Sequence, residues 1–154
     1  MPATKLRAFL DERGIPYVTV RHSPAFTAAE IAESANIAGR GFAKTVIVKM
    51  DDEMAMVVLP ANRKIVLSDL REMLGSPHVR LATEDEFDDR FPDCALGAMP
   101  PFGNFYGLTV FVEQSLAEEP EIAFNAGNHS EVVKMSFEDF TAVVNPVVVD
   151  FVTA

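Results

Sequence analysis

Residues 43–50 (AKTVIVKM) and 54–61 (MAMVVLPA) are two apolar runs separated only by Asp51-Asp52-Glu53. A link that short joins antiparallel neighbours, because a parallel return needs a dozen or more residues. The two runs are therefore read as a hairpin. Residues 120–126 and 131–136 form a second such pair, meeting at Ala126-Gly127-Asn128-His129. Further strands are expected at 16–21, 78–82, 105–112 and 147–152. Between these lie helical stretches. Leu6, Phe9 and Leu10 recur at helical spacing until Gly14 and Pro16. Thr27 with Glu30, and Thr83 with Glu86, are capping boxes that open helices to about Asn36 and Arg90. Ser68 is expected to cap a helix ending at Gly75, and another helix falls at 137–144. Paired strands with helices between the pairs lack the strict β-α-β alternation of a doubly wound fold. The pattern predicts an α+β fold with a curved, mixed, mostly antiparallel sheet and flanking helices.

The chain has 154 residues, no repeat and no Gly/Ser- or Pro-rich linker, so residues 1–154 are read as one domain. No apolar run approaches the ~20 residues of a membrane span, and Lys5, Arg7 and Asp11 interrupt any signal-peptide core. The single cysteine, Cys94, excludes an internal disulfide, and the cytosol is the expected compartment. A net charge of −10 argues against a broad phosphate-binding surface such as DNA requires. It leaves room for a local one, since Arg40, Lys44, Lys49, Arg63 and Lys64 fall within 25 residues.

The segment Gly97-Ala98-Met99-Pro100-Pro101-Phe102-Gly103 carries two prolines that fix φ and donate no N–H, with glycines at both ends. It is either a rigid connector or the stiff wall of a small pocket that aims backbone donors inward. Lys44 shares a strand face with Val46, Val48 and Met50. If the valines face the core, Lys44 stands at its mouth, either snorkelling to water or lining a pocket. There its ammonium would suit a phosphate or a developing oxyanion. His129, in a turn, is either solvent-exposed or a donor that orients water. Glu113 ends a strand, where a carboxylate favours a following helix start. Cys94 reads as a buried thiol. Three histidines and one cysteine make no zinc site, and no phosphate loop or nucleotide fingerprint appears.

Taken in order, HSPAFTAAEIAE (22–33), AKTVIVKM (43–50), VVLPANRKI (57–65), RLATEDEF (80–87), GAMPPFG (97–103), VFVEQSL (110–116) and NAGNHSEVVKMSFEDF (125–140) resemble one family. It is the YbaK/ProX family of freestanding aminoacyl-tRNA deacylases, relatives of the editing domain inserted in bacterial prolyl-tRNA synthetases. The resemblance spans about residues 15–150. It implies that Lys44 is the lysine central to deacylation, and that Gly97 and Pro101 are the fixed points of a GxxxP loop that positions the aminoacyl ester. It places His129 where alanine-specific members have a pocket histidine. Glu113 stands where many members have aspartate. Val20 occupies the place of a tyrosine typical of the cysteine-specific branch, which favours the alanine type.

The resemblance implies hydrolysis of a mischarged tRNA such as Ala-tRNA(Pro) or Cys-tRNA(Pro), without metal or cofactor. Lys44 would hold the terminal phosphate or an ester oxygen, and loop amides near Gly97 and Pro101 would bind the carbonyl. Thr45, Met99, Pro100, Phe102, Glu113 and Gly127 would complete the substrate site, with Met99 and Phe102 excluding larger side chains. Arg40 and Lys64 would contact the CCA end and acceptor stem. A synthetase or another tRNA-binding protein could deliver the substrate. The second reading is an inert module of the same fold that senses tRNA or a small molecule, or that partners a synthetase.

Overall fold

The computed structural model describes residues 3–22, 37–92, 94–95 and 98–150. The Thr27–Glu30 capping box, its helix to Asn36, and Gly97 lie outside the described residues. The strands are β1 (Val18–Arg21), β2 (Phe42–Met50), β3 (Glu53–Pro60), β4 (Val79–Leu81), β5 (Thr109–Glu113), β6 (Glu121–Asn125), β7 (Glu131–Ser136) and β8 (Val147–Val149). The helices are α1 (Ala3–Glu12), α2 (Leu67–Leu74), α3 (Glu84–Phe87), α4 (Gln114–Ala117) and α5 (Phe137–Val144).

The strands form one sheet in the order β1-β7-β6-β2-β3-β5-β8, with β4 also pairing with β2. Both expected hairpins are present: β2 runs antiparallel to β3, and β6 antiparallel to β7. The β2–β3 turn is made by Asp51, in the left-handed region at φ 56°, and Asp52. Aspartate tolerates that conformation better than bulkier residues do. Parallel pairs β2–β6, β3–β5 and β5–β8 make the sheet mixed. The α+β fold with a mixed sheet is therefore as the sequence predicts. No helix among the described residues is long and apolar enough to cross a membrane.

The sheet is covered on both faces. Ala43 and Ile47 of β2 join the larger cluster with Met56, Val58, Val112, Phe124 and Phe102, against which α1 sets Leu6 and Leu10 and α5 sets Phe140 and Val144. Phe42 points to the opposite face with Ala123 and Val132. Val48, also on that face, packs with Val57, Leu59 and Leu70 of α2, with Val46 against them. The valine side of β2 is thus one of two buried faces, and the smaller one.

Three local expectations are corrected. The run 105–112 does not extend as one strand: Gly103–Tyr106 is a 3-10 turn closed by Gly107 at φ 73°, and β5 begins at Thr109. The turn lets Phe105 pack against Phe9 and Phe102, a tertiary demand that outweighs the β-prone composition. Ser68 lies inside the first turn of α2, whose flanking residue is Val66 with no side-chain cap. Gly75 ends that helix at φ 65°, its N–H donating to the Arg71 and Glu72 carbonyls. The C-terminal strand ends at Val149, before Asp150, and residues 151–152 of the expected strand lie outside the described residues.

The Thr83–Glu86 capping box is present. Glu86 also accepts two bonds from Arg80 at 2.7 Å and one from Lys49 at 3.1 Å. The Arg80 guanidinium above all, then the Thr83 amide and Lys49, hold the Glu86 carboxyl far below the usual carboxylate range. This cluster clamps α3 to β4 and the end of β2.

Candidate active site

Strand β2 has β3 on one side throughout, but two partners on the other. It pairs with β6 only at Phe42↔Ala123 and Ala43↔Phe124, and with β4 from Val48 onward. The Ala82 N–H donates to the Ile47 carbonyl at 2.9 Å. Between these contacts the Lys44–Val46 edge has no strand partner among the described residues. Lys44 and Asn125 are the first residues past the split, one on each strand. Paired residues of adjacent strands share a face, as Phe42 with Ala123 and Ala43 with Phe124 do. Lys44 and Asn125 therefore continue the Phe42–Ala123 face.

Lys44 is half-buried. Burial, and after it repulsion from the Lys64 ammonium, push its pKa below the ordinary lysine value of 10.5, and no carboxylate among the described residues offsets the shift. A lysine in this state is a cation with unspent attraction for an anionic ligand.

The proline loop is tied to the turn that follows Asn125. The Gly127 N–H donates to the Ala98 carbonyl at 3.0 Å, and the Ala95 N–H to the Gly127 carbonyl at 2.8 Å. Gly127 sits at φ 96°, a conformation that L side chains rarely adopt. Asn128 fixes the same turn, its Oδ1 accepting from the amides of Ser130 and Glu131 at 2.9 and 2.8 Å. His129 is half-buried there rather than fully exposed, with Nδ1 shielded from solvent.

Within the loop, the Ala98 N–H donates to Ala95 and the Phe102 N–H spans Pro101 to reach the Pro100 carbonyl at 2.7 Å. Pro100 and Pro101, both buried, have no N–H. Met99 and Gly103 are the loop amides with no acceptor among the described residues. The far end is pinned by close packing. A Cβ on Gly103 would meet Val110 Cγ2 at 3.1 Å and the Met56 Cβ and Sδ at 3.2 Å.

Lys44, Pro101, His129 and Gly127 thus belong to connected segments around one split in the sheet. Other expected members stand elsewhere. Thr45 alternates to the opposite face of β2, toward the larger core. Phe102 is fully buried among the rings of Phe9, Phe105, Phe124 and Phe140, and so is a core residue rather than a pocket wall. Met99 also belongs to that core, where it lines a cavity of about 260 Å³ with Phe87, Phe91, Pro92 and Cys94. The Met99 and Phe102 side chains pack in the larger core while Lys44 continues the opposite face, so these side chains do not join Lys44 in one pocket wall. Cys94 Sγ lies 3.8 Å from the Tyr106 hydroxyl.

Glu113 shares the Lys44 face but lies two strands away, or about 10 Å at ordinary strand spacing. Its buried carboxylate caps α4, accepting from the Ser115 N–H at 2.9 Å and from the Ser115 hydroxyl. Glu113→Ala is expected to cost about 0.5–2 kcal/mol in urea unfolding, the usual loss of an N-cap.

Arg40 pairs with Glu119 at 3.2 Å and lines a surface cavity of about 300 Å³ with Lys134 and Glu121. Lys64 is exposed and near enough to Lys44 to repel it. Sequence reasoning missed Asn125. Its only signal was a polar residue closing an apolar strand, which reads equally well as the start of a turn. No group of three His, Cys, Asp or Glu residues that could hold a metal occurs among the described residues.

The family profile described as "Aminoacyl-tRNA editing domain" matches residues 22–143. The Multifunctional Ser/Thr-tRNA deacylase ProXp-y of Escherichia coli (strain K12) is 29% identical over 153 residues, covering 96% of this chain and 90% of that protein. The Prolyl-tRNA editing protein ProX of Acetoanaerobium sticklandii is 28% identical over 144 residues, covering 89% and 87%. Among solved structures, the hypothetical protein APE2540 superposes with a TM-score of 0.83 at 22% identity, over 96% of this chain and 98% of that one. A crystal structure provisionally described as a trans-editing enzyme for prolyl tRNA synthetase gives 0.79 at 21% identity, over 97% and 95%. At these identities the two structures speak for a shared fold.

Proposed function

Because the chain belongs to the aminoacyl-tRNA editing domain family, we propose that it is a trans-editing deacylase that frees a small amino acid, alanine first, from a mischarged tRNA. Deacylation as the reaction class follows from the family and from relatives that are themselves tRNA deacylases and editing proteins. The observation that carries the site assignment is the desolvated, carboxylate-free Lys44 at the β2–β6 split, beside the turn to which the proline loop is bonded.

An aminoacyl ester is already activated, so positioning and charge stabilisation suffice. Water adds to the ester carbonyl carbon, and the bond from that carbon to the ribose oxygen breaks. The ribose oxygen takes a proton from the water, and the amino acid leaves as its acid and ionises. Lys44 holds the terminal phosphate or an ester oxygen. The Met99 amide is a loop donor for the carbonyl oxygen as negative charge develops on it. His129 and the Gly127 turn close the site, and the Gly97–Pro101 segment sets the loop's course. Arg40 and Lys64 supply a small basic lip for the CCA end and acceptor stem. On a chain of charge −10, delivery by a synthetase or another tRNA-binding protein would offset weak electrostatic capture.

Purified protein presented with tRNAs mischarged with alanine, cysteine, serine and threonine tests the reading. Faster loss of alanine than of the larger amino acids supports it. Binding without turnover of any of them would favour a sensing module.

The protonated form of Lys44 is the one that acts, so activity should fall on the alkaline side at a pH below 10.5, once spontaneous hydrolysis is subtracted. Lys64→Met removes the like charge, raises the Lys44 pKa, and should move that limb to higher pH. The stability effect has the opposite sign. With its folded pKa depressed, Lys44 binds more protons in the unfolded chain, so its buried charge destabilises the fold at neutral pH. That cost fades as pH rises through the folded pKa toward 10.5. Rate–pH profiles of the two proteins check the shift.

A further inference from the structure

Asn125 is 7% exposed, and its Oδ1 is buried with no hydrogen-bond donor among the described residues. Buried carbonyl oxygens are rarely left so, because the loss of water goes uncompensated. The fold gives no reason for it. Asn125 pairs with Val132 on β7 and follows Ala123 on the same face, where Phe42, Ala61, Ala123 and Val132 pack together. An aliphatic side chain would suit that surface better. Nor does the turn need it: Asn128 performs the turn's side-chain bonding, with three donors on its own Oδ1 at 2.9, 3.1 and 2.8 Å.

The orphaned oxygen stands across the β2–β6 split from Lys44. One side of the split is therefore a cation seeking an acceptor, and the other is a neutral acceptor seeking a donor. An α-amino ester carries both complements on adjacent carbons. Its carbonyl oxygen and the nearby phosphate are acceptors, and its α-ammonium is a donor. The ammonium cannot approach Lys44 without repulsion, so it is directed to the opposite side.

We propose that Asn125 accepts a hydrogen bond from the α-ammonium of the substrate, making the site selective for aminoacyl esters over simple acyl esters. The chemical identity of this ligand rests on the deacylase reading above. Asn125 thereby becomes a substrate-binding residue that aligns the ester against Lys44.

Binding is measured to two non-hydrolysable adenosine 3′-amides, one alanyl and one propionyl, the latter with hydrogen in place of the ammonium. The native protein should prefer the alanyl amide. Asn125→Leu should weaken the alanyl amide roughly 10–100-fold, the range of a hydrogen bond to a charged group. It should leave propionyl affinity unchanged and the melting temperature unchanged or higher. Asn125→Asp, which retains the acceptor, should keep the preference. Equal loss for both amides, or no loss for either, overturns the assignment, as does a lowered melting temperature with the preference intact. A native protein that prefers the alanyl amide yet hydrolyses no mischarged tRNA would retain the Asn125 assignment and defeat the hydrolase reading instead.

Discussion

Lys44→Ala is expected to reduce deacylation by about 10²–10³-fold, the usual effect of removing one well-placed stabilising group, while the protein stays folded. The two halves of that expectation have one cause. Lys44 is held partly out of water, beside the like charge of Lys64 and without a carboxylate partner. Among the described residues its replacement breaks no ion pair and orphans no partner, so the fold is expected to gain slightly or stay unchanged. Had Lys44 served the fold through a salt bridge, the same substitution would leave a carboxylate stranded and lower stability. Single-turnover rates on alanyl-tRNA, measured beside thermal melts, separate the cases. A fall in the rate of the chemical step places the lysine on developing charge. A rise in KM alone places it on the terminal phosphate, bound equally in ground and transition states. Lys44→Arg should not restore the rate, because a planar guanidinium cannot occupy the position of a compact ammonium at a strand edge. Retained activity in Lys44→Ala would remove the lysine from the mechanism.

The sheet was legible because its strongest signals are local. Three residues between apolar runs permit little besides the β2–β3 hairpin, and Thr83 with Glu86 marks a helix start within four residues of chain. The strand that the sequence overextended, 105–112, failed at Gly107, whose left-handed backbone serves a contact between Phe105 and a helix nearly a hundred residues away in sequence. No period of two can report that. The site divides in the same way. Lys44 was legible as a cation on an apolar strand. Its setting was not, since the β2–β6 split arises where two strands distant in sequence pair over two residues and then part. Asn125 acquires meaning only from that split. Phe102 was misplaced because a single loop with two prolines can present its rings to either side of a sheet, and only the packed aromatic cluster decides which.

That cluster makes Phe102→Ala the substitution with the largest expected cost to stability. The ring is fully buried, with centroids of Phe124, Phe140, Phe105 and Phe9 at 5.5, 5.7, 6.0 and 6.4 Å. Truncation leaves a cavity bordered by other rings and should cost about 3–5 kcal/mol, lowering the melting temperature by roughly 10 °C or more for a chain of this size. Activity should suffer with it, because the Phe102 amide closes the turn over Pro101 and its ring anchors the far end of the loop to the core. A pocket wall would behave otherwise. There, Phe102→Ala would leave the melting temperature nearly unchanged and admit larger amino acids, so that valyl- or prolyl-tRNA became substrates. Phe102→Leu sharpens the distinction. It keeps most of the buried volume, so it should recover much of the stability and activity without broadening the amino acids accepted. Broadened specificity at native stability would return Phe102 to the substrate site and require the loop to turn its aromatic face away from the core.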